Sequence, residues 1–316
     1  MSEAAHTAPL TYDLFGHAIA VHVEDVAMRG RVATALAPFR AGGEVEPGAH
    51  FHLTLSDRES RVAHGRQINT GSLLVIADRR KLITASLAAP PWQIYVGAFG
   101  GSDEDAYYYL FEPMLHLVLK RRRTIPWHGA AVARGERGVL IVGESGSGKS
   151  TTALALLLAG YSFVADDELV LQESDARIRV RSMEEHLHFT DPTASLVRGL
   201  PALADLPLVR RGRSRKRRME ARLFGARAGA AAIAVVLFPH VDAAEETRLR
   251  EIPAPESAGR LLLHPPKEYP AVIVDPPAIE AQFDVCTGLA ASARCFDLVL
   301  GRNLGRLPQL VDAVLA

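Results

Sequence analysis

Gly143-Glu144-Ser145-Gly146-Ser147-Gly148-Lys149-Ser150-Thr151 is the stretch from which the rest of this 316-residue chain can be read. It has the form G-x-x-x-x-G-K-S. The apolar residues 139–142 precede it, and Thr152-Ala153-Leu154-Ala155-Leu156-Leu157-Leu158-Ala159 follows. A strand pattern, a glycine-rich turn and a helix pattern, in that order, are the setting in which the motif has physical meaning. Glycines let successive backbone N–H groups turn inward and line an anion-sized hollow, while the following helix aims its positive end at the same place. Lys149 would then reach the β- and γ-phosphates of a nucleoside triphosphate, and the Ser150 hydroxyl would ligate Mg²⁺. The expectation is a site for ATP and Mg²⁺ built from residues 143–151.

Working outward, Gly160 closes the helix pattern, and residues 161–165 read as a short apolar strand that ends in Asp166-Asp167-Glu168 and is continued by residues 169–171. An apolar strand delivering an aspartate suits phosphoryl chemistry, because a carboxylate must face the metal beside the Ser150 hydroxyl. On the other flank, residues 127–134 and 139–142 read as two strands joined over Gly135-Glu136-Arg137-Gly138. His128 therefore begins a strand lying beside the one that carries the loop. Position alone leaves both a structural and a functional histidine open there.

The rest of the chain carries weaker signals. Residues 19–23, 50–55, 73–77 and 93–96 read as strands and 26–39 as a helix, with no catalytic pattern among them. Residues 105–123 read as a helix with a broad apolar face, and Lys120-Arg121-Arg122-Arg123 as its solvated, basic end. His186-x-His188 with Asp191 could supply three metal ligands, though no further ligand stands at suitable spacing. The run Arg210-Arg211-Gly212-Arg213-Ser214-Arg215-Lys216-Arg217-Arg218 concentrates positive charge on what reads as one loop. Three uses compete for it: a solvated loop, a docking site for an acidic partner or the triphosphate, and nucleic acid. The lack of interleaved aromatics argues against single-stranded nucleic acid. Further on, residues 230–238 read as a buried strand ended by Pro239, and 253–277 as an irregular proline-rich stretch. Residues 278–294 read as a helix, 295–300 as a strand and 307–315 as a closing helix. The organisation expected is a small α+β region over 1–104 and an ATP-binding domain over 105–316.

Composition sets outer bounds. Apolar residues at 48% and charged residues at 23%, with a formal net charge of +0, describe an ordinary globular protein with no global pull toward nucleic acid or anionic membrane. Cys286 and Cys295 are too few for a disulfide framework and read as reduced thiols. The opening residues show no basic-then-apolar leader, and no apolar run approaches the ~20 residues of a membrane span. The expected location is the cytoplasm.

The spacing of the central pieces carries a resemblance. His128-Gly129, then Gly143 to Thr152, then Val164-Ala165-Asp166-Asp167 directly on the strand after the loop helix, is similar to the HPr kinase/phosphorylase family. The likeness runs from about Trp127 to Leu171. That family shares its fold with ATP-dependent phosphoenolpyruvate carboxykinase, so the resemblance implies an α/β fold: a P-loop core of mixed sheet and helices, with the small α+β region before it. The chain also resembles the smaller HPr-kinase-like proteins found beside peptide-biosynthesis genes, some of which phosphorylate a serine of a precursor peptide. Carried over, the resemblance implies that Asp166 is the base toward the acceptor hydroxyl, that Asp167 with Ser150 holds Mg²⁺, and that His128 and Lys149 sit at the transferred phosphoryl group. The glycine-rich signature of the bifunctional members does not follow the aspartates. The implied activity is an ATP- and Mg²⁺-dependent phosphotransferase acting on a serine hydroxyl of a small protein or peptide. A small-metabolite kinase and a non-catalytic nucleotide-sensing module are the alternatives. The implied partners include neither nucleic acid nor membrane, and a homo-oligomer is compatible with the sequence.

Overall fold

The computed structural model describes residues 8–58, 65–175, 177–183, 186–191, 193, 205–211, 214–224, 228–242, 246–264 and 274–316. The chain divides into two compact units. The first holds Met1–Arg122 with Glu268–Ala281, and the second holds Arg123–Lys267 with Gln282–Ala316.

Alternating apolar residues build a seven-stranded sheet in the first unit from β1 (Leu10–Leu14), β2 (His17–Val23), β3 (Ala49–Ser56), β4 (Arg66–Asn69), β5 (Leu73–Ala77), β6 (Lys81–Ser86) and β7 (Trp92–Phe99), in the order β1-β2-β3-β7-β6-β5-β4. β2, β3 and β7 run parallel as neighbours, and the outer pairs are antiparallel. Helix α1 (Val26–Ala35) starts where the Asp25 carboxylate accepts the Met28 N–H at 2.7 Å, and is shorter than residues 26–39 suggested because Pro38 has no N–H to prolong it. The helix expected over 105–123 is three pieces: α2 (Asp103–Ala106), a wide π-turn (Tyr107–Phe111) and α3 (Glu112–Arg121). The wide turn ends two residues before Pro113, which cannot donate to the regular ladder.

The basic end of α3 is only partly solvated: Arg123 is exposed, but its two predecessors are engaged. Arg121 is buried and paired with the buried Asp275 at 2.6 Å, and the Arg122 guanidinium lies over the Trp92 ring at 4.7 Å. A guanidinium carries five donors in a planar fork, so it can be buried where a carboxylate and carbonyls meet it. Sequence charge alone does not show that meeting.

The second unit carries the glycine-rich loop. Its seven-stranded mixed sheet holds β8 (Thr124–Arg134), β9 (Arg137–Ile141), β10 (Ser162–Ser174), β11 (Arg177–Ser182), β15 (Ala231–Val241), β16 (Arg248–Ile252) and β17 (Arg294–Leu300). The order is β11-β10-β8-β9-β15-β17-β16, and β11 also pairs with β15 through Arg179↔Ala232 and Val180↔Ala231. β9, β15 and β17 are parallel neighbours, and their carboxyl ends lie together. Helix α4 (Lys149–Leu158) and the closing α7 (Leu307–Leu315) pack on this sheet. Leu154, Leu157, Val311 and Leu315 share one buried cluster with Ile141, Phe163 and Leu298. Helices α5 (Ala254–Leu263) and α6 (Pro276–Ser292) lie between β16 and β17 in the chain.

Three segments depart from what their sequence patterns suggest. Pro239 lies inside β15, because the strand outruns its neighbour β9, whose last rung is Ile141↔Leu237, so the missing N–H falls beyond that ladder. The stretch after Pro253 holds α5, with Ser257 N–H bonding Pro253 O at 3.0 Å, while residues 265–273 lie outside the described residues. The basic run is a hairpin rather than a loop. β13 (Leu208–Arg211) and β14 (Ser214–Glu220) pair antiparallel, and β12 (His186–Phe189) adds to β14. Alternation turns Met219 into the core while its neighbours carry charge, which a loop reading of the run does not anticipate. Gly212 and Arg213 of that run lie outside the described residues.

Candidate active site

The loop grows from β9 and empties into α4 at the carboxyl ends of the three parallel strands, the place where open α/β sheets bind ligands. Gly148 has φ +105°, and a Cβ there would stand 2.2 Å from Leu300 Cδ1, so this last turn before the helix admits only glycine. Lys149 follows as the first helical residue. Its ammonium donates to Gly143 O at 2.7 Å and Glu144 O at 2.9 Å, which folds the side chain along the loop. Burial pushes the Lys149 ammonium below its usual range, against the pull of Asp167. The Ser147 hydroxyl is buried in the loop with no protein partner among the described residues. A buried donor left open there is what an anion in the hollow would satisfy.

Strand register brings the other predicted residues to the same level. Asp166 pairs with Ala130, and Ala130 pairs with Ile141, the last residue of β9 before the loop. Three adjacent strands thus set the acid pair and the mouth of the loop on one rung, about 10 Å apart at the usual strand spacing. Asp167 pairs with Gly129 and Glu168 with His128. A Cβ on Gly129 would stand 3.0 Å from Ile141 O, so the residue beside His128 must be small for β8 and β9 to close.

The two aspartates differ in setting. They lie in the middle of one 13-residue strand rather than at a strand end, with a register shift between Phe163 and Ala165. Asp166 is 3% exposed, and its Oδ2 accepts the His188 N–H at 2.7 Å. Asp167 sits at φ +68°, a left-handed conformation that aspartate tolerates better than most residues and that breaks the in–out alternation of the strand. Its Oδ1 lies 3.4 Å from His128 Nδ1 and 3.4 Å from Lys216 Nζ. Burial holds the His128 imidazole below its ordinary value, partly offset by Asp167 and reinforced by Lys149 and Lys216. His128, Lys149, Asp167 and Lys216 therefore act on one another electrostatically. Ser150 is the second residue of α4, and a carboxylate with a hydroxyl would offer the oxygen donors that Mg²⁺ takes.

The sequence left one contributor unresolved within the basic run and gave no sign of another. Lys216 was hidden in a run of similar charges, although strand alternation across Arg215–Met219 would have separated Lys216 and Arg218 from Arg217 and the buried Met219. The backbone N–H of His188 holds Asp166, and no side-chain pattern signals that. Asp191, set with His186 and His188 as a candidate metal ligand, is instead engaged by Arg217 at 2.8 Å.

Comparison with known proteins places the likeness on these same elements. Residues 121–193 match the HPr Serine kinase C-terminal domain. The HPr kinase/phosphorylase of Clostridium botulinum (strain Eklund 17B / Type B) is 45% identical over 64 residues, 20% of this chain and 21% of that protein. The HPr kinase/phosphorylase of Lactobacillus delbrueckii subsp. bulgaricus is 40% identical over 74 residues, 23% of each chain. That of Bacillus cytotoxicus is 44% identical over 75 residues, 23% of this chain and 24% of its own. The matched segment thus spans about a quarter or less of these relatives. The solved structure of the Hpr(Ser) kinase/phosphatase from Coxiella burnetii covers 60% of this chain and 92% of its own, at 16% identity and a TM-score of 0.29. Among the described residues no helix is long and apolar enough to cross a membrane. Over residues 121–193 the chain is HPr-kinase-like.

Proposed function

We propose that this HPr-kinase-like chain is an ATP- and Mg²⁺-dependent kinase that transfers the γ-phosphoryl group to a serine hydroxyl of a small protein or precursor peptide. The observation that carries the reading is the shared rung: Asp166, Ala130 and Ile141 lie side by side, so the first of the paired acids is level with the end of the strand that leads into the glycine-rich loop. A nucleotide-sensing module would need the loop, but it would have no use for a buried, hydrogen-bonded carboxylate at that level.

The residues divide the work as follows. Loop N–H groups and the start of α4 bind the phosphates, and Lys149 neutralises charge on them. Asp166, fixed through Oδ2 by the His188 N–H, takes the proton from the acceptor serine. Asp167 and Ser150 would hold Mg²⁺, whose chemistry is to neutralise charge on the phosphate oxygens. His128 orients Asp167 through its Nδ1 and shields the transferring group. The acceptor is named by family likeness; the HPr kinase/phosphorylases that share the central segment are named for a protein substrate, and a precursor peptide is the narrower form of that reading.

The test incubates the protein with γ-labelled ATP, Mg²⁺ and candidate peptides or small proteins, followed by mass spectrometry of the product. Wild type should yield a phosphoserine product. Asp166→Asn should lower turnover by about 10²- to 10⁴-fold, and Lys149→Ala should abolish transfer. Wild-type-like transfer by both variants would refute the assignment.

A further inference from the structure

Lys216 stands in β14 of the basic hairpin, far in sequence from the loop, yet its Nζ lies 3.4 Å from Asp167 Oδ1, the oxygen that also faces His128 Nδ1. The side chain is 22% exposed, so it is neither sealed in the core nor free in solvent. Its neighbours explain why it is fixed there. Arg217, pointing to the other face of the strand, bonds Asp191 at 2.8 Å and Leu206 O at 3.1 Å, and Met219 two residues on is buried in the core cluster. These anchors hold one face of β14 and leave Lys216 and Arg218 on the opposite face. β14 is also tied to the acid pair through β12, where His188 pairs with Arg218 and donates its N–H to Asp166. The hairpin is therefore built to set one ammonium at the acid pair.

Resting on the proposed kinase reading, we propose that Lys216 is a nucleotide-binding residue, the second cation of the triphosphate site, and that it contacts the terminal phosphate. Lys149 lies along the loop on Gly143 O and Glu144 O, where the inner phosphates would sit in the N–H hollow. Lys216 lies at the acid pair, the end at which the acceptor must meet the terminal phosphate. An ammonium at that end distinguishes a triphosphate from a diphosphate. A lysine suits it because a point charge on a flexible stem can follow a phosphate as it moves. No bond is made or broken at Lys216.

The test is calorimetric titration of the full chain with ATP and with ADP, with and without Mg²⁺, for wild type, Lys216→Gln and Lys216→Arg. A charge-assisted contact to one phosphate predicts that Lys216→Gln weakens ATP binding about tenfold. ADP binding should change by less than about twofold, and Lys216→Arg should recover most of the ATP affinity. Equal weakening for both nucleotides, or none for ATP, overturns the proposal and leaves the nucleotide site standing. Wild type that binds neither nucleotide overturns the underlying reading as well. Should Lys216→Gln fail to fold, amine acetylation of the wild-type protein read by mass spectrometry decides the matter. ATP must protect Lys216 more than ADP does, and equal protection refutes the assignment.

Discussion

Arg121 offers the sharpest stability test in the first unit. Its guanidinium makes four bonds: Nε to Asp275 Oδ2 at 2.9 Å, Nη2 to Asp275 Oδ1 at 2.6 Å, Nη1 to Leu87 O at 3.1 Å and Nη2 to Gly71 O at 2.5 Å. The two side chains are 6% and 0% exposed. Asp275 in turn accepts from Asn69 Nδ2 at 3.1 Å and caps α6 through the Ala278 N–H at 3.1 Å. Replacing Arg121 with methionine fills most of the volume but strands a carboxylate in the interior with only those two neutral donors. Breaking a buried pair from one side costs about 3–5 kcal/mol, whereas replacing both partners with apolar residues is often near neutral. Asp275→Leu alone should cost a similar amount, plus about 1 kcal/mol for the lost cap. The double variant Arg121→Met/Asp275→Leu should recover at least about 2 kcal/mol relative to the sum of the singles. For a unit of this size a loss of 3 kcal/mol lowers the melting midpoint by roughly 10 °C. Trp92 lies in the first unit and Trp127 in the second, so urea titration followed by fluorescence in a Trp127→Phe background reads the unit that holds the pair. The reasoning is refuted if Arg121→Met costs under about 1 kcal/mol, or if the double variant simply adds the singles.

Other outcomes follow from single contacts. Gly129→Ala places a Cβ 3.0 Å from Ile141 O, a backbone atom that cannot rotate away; it should cost about 1–3 kcal/mol of stability and lower phosphoryl transfer more than tenfold, measured by melting and by turnover together. Gly148→Ala combines φ +105° with a 2.2 Å approach to Leu300 Cδ1 and should abolish nucleotide binding, a result that titration with ATP checks directly. At φ +68°, Asp167→Asn should keep the fold and lose Mg²⁺-dependent nucleotide affinity, while Asp167→Val should also lower the melting midpoint, because a β-branched residue resists the left-handed conformation. On the first sheet, burial holds His17, His22 and His50 below the ordinary imidazole value of 6.5. The unfolded chain then takes up protons that the folded chain refuses, so stability is lost as pH falls below about 6.5 and levels off below the folded values. Denaturation midpoints at pH 7.5 and 5.5 should show this, and His17→Gln should reduce the difference.

The parts of this protein that depend on local chemistry are legible in its amino-acid order. A strand, a glycine-rich turn and a helix opening on Lys149 are short-range facts, fixed by apolar spacing and by the left-handed turns that glycine alone enters freely, and the structure forms each of them. The two strands over 127–134 and 139–142, and the closing helix Leu307–Leu315, were legible for the same reason. Which residues meet across long separations is set by the folded chain. Asp166 shares a rung with the end of β9 through β8. Arg121 finds Asp275 across 154 positions, and the Lys216 ammonium reaches Asp167 across 49. A charged side chain looks alike in sequence whether water or a buried carboxylate awaits it, and only the folded backbone, by supplying that partner, settles which it is.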